Sequence, residues 1–340
     1  MYPIFFLGEK IFVPIIQRYS ARNTKKGNRL QLQGNPVKIY HVTAEPRNKI
    51  VKELIHILSL LPSVSNVKFY ACNIDDKLMK TIEKALEAHH LVEHIMLKEN
   101  QLTIFPRLEK MVGLLSLGVQ NNYIPKIEIA ANHLVHLKEL NLRRNQITHI
   151  TNLDDLIQLE KLDLRNNKIT TFTGLSTLIN LKELRLYRNK ITKITGLSAL
   201  TNLNLLDISV NKITTIEGLD TLIHLNYLFL SNNYITTVNR LATLINLKVL
   251  HIGHNYITSV DSLGNLKQLV TLYLANNRIS NVDGLFGLTK LEILNLWNNT
   301  IRIAKNTPAI LSLQEDLGIK VDFAQLTVDD YYDKLWDLFE

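Results

Sequence analysis

The chain has 340 residues, 46% of them hydrophobic, and a formal net charge of +8. That composition excludes a disordered or collagen-like chain, and a single cysteine excludes any internal disulfide. No apolar run reaches the roughly 18–20 residues of a membrane-spanning helix, so the sequence predicts no membrane span.

The charge is uneven along the chain. Residues 1–36 carry Lys10, Arg18, Arg22, Lys25, Lys26 and Arg29 against Glu9, and read as a basic N-terminal cap. Their start, MYPIFFLGEKIFVPIIQRY, is apolar, but Glu9 and Lys10 interrupt it. It lacks the basic n-region and small-residue cleavage site of a secretory signal, so a capping segment is expected.

Residues 37–91 read as two longer, helix-containing repeats. NPVKIYHV places Ile39 at the centre of a first strand, followed by a helix over NKIVKELIHILSLL. VSNVKFYACNI centres a second strand on Val67 and is followed by DDKLMKTIEKALEAHHL. There Leu78, Ile82, Ala85 and Leu86 share one helical face.

Residues 92–313 then repeat one phrase ten times. LKELNLRRNQITHI, LEKLDLRNNKITTF, LKELRLYRNKITKI and LKVLHIGHNYITSV share the frame L-x-x-L-x-L-x-x-N-x-I. Its fourth position falls at Ile95, Leu117, Leu140, Leu162, Leu184, Leu206, Leu228, Leu250, Leu272 and Leu294. The step is 22 residues, except for 23 between Leu117 and Leu140. The central L-x-L alternates with period two, so each phrase holds a short strand with its leucines inward. One unit cannot cover its own apolar face, so units must stack and their strands must pair in parallel. The asparagine closes each strand, and its amide can satisfy backbone groups that a turn leaves unpaired. These asparagines form a series from Asn100, Asn122 and Asn145 to Asn277 and Asn299, and Cys72 takes the equivalent slot one unit earlier. A buried, inert thiol is expected there. The remaining residues, such as TKITGLSALTN, are too few for a long helix and predict short 3₁₀ turns.

Residues 314–340 close the chain. GIKVDFAQ reads as a last strand with Val321 and Phe323 inward, and VDDYYDKLWDLFE as an acidic capping helix.

The ten-fold LxxLxLxxNxI pattern resembles the leucine-rich repeat family, in its short 22-residue class. That class includes a regulatory subunit of protein phosphatase 1 and the internalin-type bacterial proteins. The two longer units are similar to ribonuclease-inhibitor-type repeats. The resemblance implies an α/β curved solenoid, with a parallel sheet on the concave face and short helices and 3₁₀ turns on the convex face. It also implies a non-catalytic protein-binding role, with a phosphatase among the partners to consider.

The outward positions of each strand do not maintain the fold, so their identities report on binding. Two patches emerge: a basic one of Arg143, Arg144, Arg165, Arg185 and Arg188, and an aromatic one of Tyr187, Tyr227, Phe229, His251, Tyr273 and Trp297. Arginine with large aromatics is the composition of protein interface cores, so a protein partner is expected. Nucleic acid is the rival, but Glu139, Glu160, Asp163 and Glu183 lie among the arginines and would repel phosphate. HLVEH matches a zinc-peptidase pattern that requires a continuous helix, whereas here Val92 opens a strand. The sequence has no GxSxG elbow, P-loop or CxxC pair, and Asp163 and Asp207 stand two repeats apart. No cofactor and no enzymatic activity are expected. The expected setting is the cytoplasm, or a host cytoplasm, because the acidic tail ending in LWDLFE is similar to tails read by type IV secretion machines.

Overall fold

The computed structural model describes residues 6–7, 10–11, 30–32, 37–40, 65–87, 89–301 and 320–322. It divides into two compact units, Met1–Ile191 with Thr195–Leu203 and Thr192–Ile194 with Asn204–Glu340.

Unit 1 begins with β1 (Phe6–Leu7) and β2 (Lys10–Ile11), an antiparallel pair. Its main sheet runs through β3 (Leu30–Leu32), β4 (Val37–Tyr40), β5 (Asn66–Tyr70), β6 (His94–Met96) and β7 (Ser116–Gly118). It continues through β8 (Glu139–Asn141), β9 (Lys161–Asp163) and β10 (Glu183–Arg185). Pairing is parallel from β4 onward, whereas β3 lies antiparallel to β4. Unit 2 stacks β11 (Leu205–Asp207), β12 (Tyr227–Phe229), β13 (Val249–His251), β14 (Thr271–Tyr273), β15 (Ile293–Asn295) and β16 (Lys320–Asp322), all parallel. Each unit is thus a leucine-rich-repeat solenoid, built as the repeat predicts.

The inward leucines form the core. Leu140, Leu162, Leu184, Leu228, Leu250 and Leu272 pair in register, and each is at most 1% exposed. Burying one such side chain contributes roughly 1.5–3 kcal/mol, a gain repeated at every coil.

The asparagine ladder has one geometry throughout. Asn167 accepts at Oδ1 from the Ile147 amide at 3.0 Å, and its Nδ2 donates to the Leu142 and Leu164 carbonyls at 3.0 Å. One side chain therefore joins its own strand exit to the coil before it. Asn145, Asn189, Asn233, Asn255, Asn277 and Asn299 repeat the bridge. The residue just before each ladder asparagine has positive φ, including Arg144, Arg188, Val210 and His254. The chain makes its exit turn there, and asparagine, which tolerates the left-handed region, fills that position at Asn121, Asn166, Asn232, Asn276 and Asn298.

Cys72 cannot bridge in this way. Its Sγ donates to the Tyr70 carbonyl at 3.2 Å, and burial pushes its thiol up to about 12. It is half-buried where a buried thiol was expected, and the raised value keeps it a neutral thiol at neutral pH.

Helix α1 (Asp76–Leu86) is capped by Asp75, whose Oδ1 accepts the Leu78 amide at 2.8 Å. Its buried residues are Met79, Ile82 and Leu86. Leu78 and Ala85, expected inward, are half-buried. Register also shifts upstream: Val37, not Ile39, stands opposite Val67. The expected helix over residues 48–61, Phe323 and the helix over 328–340 lie outside the described residues, as does most of the expected cap over 1–36.

Opposite the strands the chain turns tightly. The expected 3₁₀ helices form as η1 (Asn239–Leu241), η2 (Asp261–Asn265) and η3 (Asp283–Leu285), and the remaining described repeats make turns there. A second asparagine series runs on this side: Asn180, Asn202 and Asn246 donate to the Ile157, Ile179 and Ile223 carbonyls at 2.8–2.9 Å. At Gly174, where φ is +88°, a Cβ would lie 2.2 Å from the Ile150 carbonyl oxygen. The longer step between Leu117 and Leu140 is taken up in the same region, where Asn132 and Leu134 both have positive φ.

Candidate functional site

Strand alternation puts positions five and seven of each repeat on the face opposite the core. In unit 1 the arginines reach this face in different states. Arg144 and Arg188, at the exit turns, are exposed, while Arg143, Arg185 and Tyr187 are half-buried. Arg165 is 7% exposed and grips Asp163 through Nε at 3.0 Å and Nη2 at 2.7 Å. The fork-to-carboxylate fit satisfies both charges. Arg185 pairs with Glu183 at 3.2 Å. The basic patch is therefore partly neutralised by its own strands, and its most accessible cations are Arg144 and Arg188. The expectation of an open guanidinium does not hold at Arg165, because Asp163 two residues earlier shares its face.

In unit 2 the aromatic positions come together as the register requires. Phe229 meets His251 edge-on with ring centroids 5.0 Å apart, and His251 meets Tyr273 at 4.4 Å. Neighbouring parallel strands lie about 4.8 Å apart, so rings at successive fifth positions must touch. Two of these expected surface groups are buried: Phe229 is 0% and His251 2% exposed. Burial lowers the His251 imidazole to about 3, so it is neutral. Tyr227, Tyr273 and Trp297 are half-buried and present the stripe's accessible edges.

One feature of this face was legible only as a spacing. Position six donates its amide to the next coil: Ile208 to the Phe229 carbonyl, Leu230 to His251 and Ile252 to Tyr273. Position eight does likewise, from Val210 to Ser231 and from Asn232 to Gly253. The position-seven amide between them is left over. Where position five is Asn or Asp, its side chain caps that amide: Asn141 to Arg143, Asp163 to Arg165, Asp207 to Ser209 and Asn295 to Trp297, all at 3.0–3.1 Å. This is an Asx turn, and its signal is an Asn or Asp two residues before position seven.

The catalytic alternatives find no support in the geometry. His90 lies in the turn after α1 and His94 in β6, so no helix carries both. Asp163 is held by Arg165, and Asp207 is 0% exposed with Oδ1 on the Ser209 amide. An open hollow of about 430 Å³ beside Arg107, Glu109, Glu128 and His133 gathers mixed charges. Among the described residues no three His, Cys, Asp or Glu side chains are grouped to hold a metal ion. No helix among them is long and apolar enough to cross a membrane.

The family of leucine-rich repeats matches residues 135–177, 179–221, 223–265 and 267–306. The chain is similar to the internalin InlF of Listeria monocytogenes, with 26% identity over 75% of this chain and 84% of that one, and a TM-score of 0.59. It is similar in fold to the functional domain of InlJ from the same bacterium, which includes a cysteine ladder. The figures there are 24% identity over 74% of this chain and 53% of that one, with a TM-score of 0.61. It shares the fold of a plant peptide hormone receptor, RGFR1, solved in complex with RGF2, at 22% identity over 72% of this chain and 45% of that one, with a TM-score of 0.53. No curated protein matches the sequence.

Proposed function

Because the chain belongs to the leucine-rich repeat family, we propose that it is a non-catalytic protein-binding adaptor that takes its partner on the strand face. The observation that supports this most is the composition of positions that the fold does not need. They concentrate Arg144, Arg188 and Tyr187 in unit 1, and Tyr227, Tyr273 and Trp297 in unit 2, all exposed or half-buried. Arg143 and Arg185 are half-buried, and Arg165, Phe229 and His251 are buried. Interface energy concentrates in a few such tyrosine, tryptophan and arginine anchors. Partner affinity should fall about 100-fold in a Tyr227→Ala, Tyr273→Ala double variant that stays folded, because each anchor contributes roughly 1–2 kcal/mol. Unchanged affinity in the folded variant would remove the face assignment.

The setting we propose is delivery from a bacterium into a host cytoplasm. The likeness to a Listeria internalin and the acidic, apolar tail over residues 327–340 support it. A translocation reporter fused upstream of the chain tests it: delivery should be lost without residues 327–340. Equal delivery of both forms would remove the tail as the signal, and delivery of neither would leave a resident adaptor of the phosphatase-regulating type. That alternative has less support, since Asp163 is sealed to Arg165 and Asp207 is buried. Nucleic acid binding is weakened for the same reason, because Arg165 and Arg185 already hold carboxylates. A steep salt dependence of oligonucleotide binding would restore it.

A further inference from the structure

In unit 2 the Asx caps stop for three successive coils. Position five is Phe229, His251 and then Tyr273, and the amides at position seven, of Ser231, Gly253 and Ala275, have no hydrogen-bond partner. Ser231 is 9% exposed, Gly253 is buried and Ala275 is half-buried. Beside them Ser209, 0% exposed, holds an unpartnered Oγ on the same face. A buried donor without an acceptor costs about 1–3 kcal/mol, so this row is built for acceptors that the chain does not supply.

The four Asx caps show that an oxygen on this face reaches a position-seven amide at 3.0–3.1 Å. The small side chains keep the row open, and at Gly253 no other residue fits, because a Cβ would lie 2.9 Å from the Ala275 carbonyl oxygen. From Phe229 to Trp297, positions five and seven contain no Lys, Arg, Asp or Glu. At about 4.8 Å per strand the three amides span roughly 10 Å.

Resting on the protein-binding reading above, we propose that this row is a main-chain docking site. It takes an uncharged peptide segment of the partner, whose carbonyl oxygens accept from Ser231, Gly253 and Ala275. The aromatic stripe packs against that segment's apolar side chains. A charged segment would find no countercharge at these positions.

The test uses the full chain and a phage-displayed library of random dodecapeptides, with enriched sequences synthesised and titrated. Two variants separate the ring from the amide. Tyr273→Leu removes the ring alone, whereas Tyr273→Asn removes it and supplies a self-cap to Ala275, as Asn295 caps Trp297. Peptides with an uncharged core should be enriched. Tyr273→Asn should bind them about tenfold more weakly than Tyr273→Leu at matched melting temperatures. Amide exchange at Ser231, Gly253 and Ala275 should slow when peptide is added. Equal affinity of the two variants, with no slowing at the three amides, would overturn the proposal. Peptides captured instead through Arg144 and Arg188 would also overturn it while upholding protein binding, and a library with no binder to the strand face would sink both.

Discussion

Asn233 joins two coils through one amide: Oδ1 accepts from Ile213, and Nδ2 donates to Ile208 and Leu230, all at 3.0–3.1 Å. Removing it leaves buried backbone groups unmet, so Asn233→Ala should cost about 3 kcal/mol in urea denaturation. A loss below about 1 kcal/mol would mean that water replaces the bridge. In the preceding coil, three residues before Ile213, Val210 holds φ at +53°. A β-branched side chain is strained there, so Val210→Asn should raise stability by about 1 kcal/mol. His251 links stability to pH. Its folded value near 3 lies below the ordinary 6.5, so the unfolded chain binds the proton first and stability falls as pH drops through that window. Phe229 and Tyr273, its ring neighbours, carry no charge to offset this at these pH values. Between pH 7 and 5 the loss should be about 2 kcal/mol, and His251→Phe should flatten the slope. A wild-type midpoint unchanged between those pH values would show that the folded ring takes up its proton as readily as the unfolded one.

At the scale of elements, helix α1 depends on its start. Asp75→Ala should destabilise unit 1 by about 1 kcal/mol through loss of the cap. Asp75→Asn should cost less, a difference that far-ultraviolet circular dichroism can follow. The strands were legible in the sequence because inward leucines are fixed by period and burial. The ladder was legible because its asparagines sit at a constant offset. The phase of α1 was not, because Leu78 and Met79 are adjacent and both apolar, so the pattern admits either as the inward residue. The shift from Ile39 to Val37 has a similar cause, since alternation in VKIY admits either register. Arg165, Phe229 and His251 show the limit for the site. Alternation names the face of a side chain, but its exposure depends on neighbours two residues or one coil away. Asp163, adjacent on the same strand face, neutralised one arginine. The abutting rings of the next coils account in part for the burial of the aromatics.

For the molecule as a whole, the central claim is that the strand face, and not the turn side, meets the partner. The turn side offers a rival, because Ile157 and Ile179 in unit 1 and Ile223 and Ile245 in unit 2 are each about half exposed, from 48% to 56%. Apolar side chains at equivalent sites of neighbouring coils could also hold a protein. The direct measurement replaces single residues with a photo-crosslinking amino acid, at Arg188, Tyr227, Tyr273 and Trp297 on one side and at Ile179 and Ile245 on the other. Each variant is irradiated in cells that contain the full chain. The account predicts one common crosslinked protein from the four strand-face positions and none from the two isoleucines. Crosslinks to a common protein from Ile179 and Ile245, with none from the strand face, would contradict it.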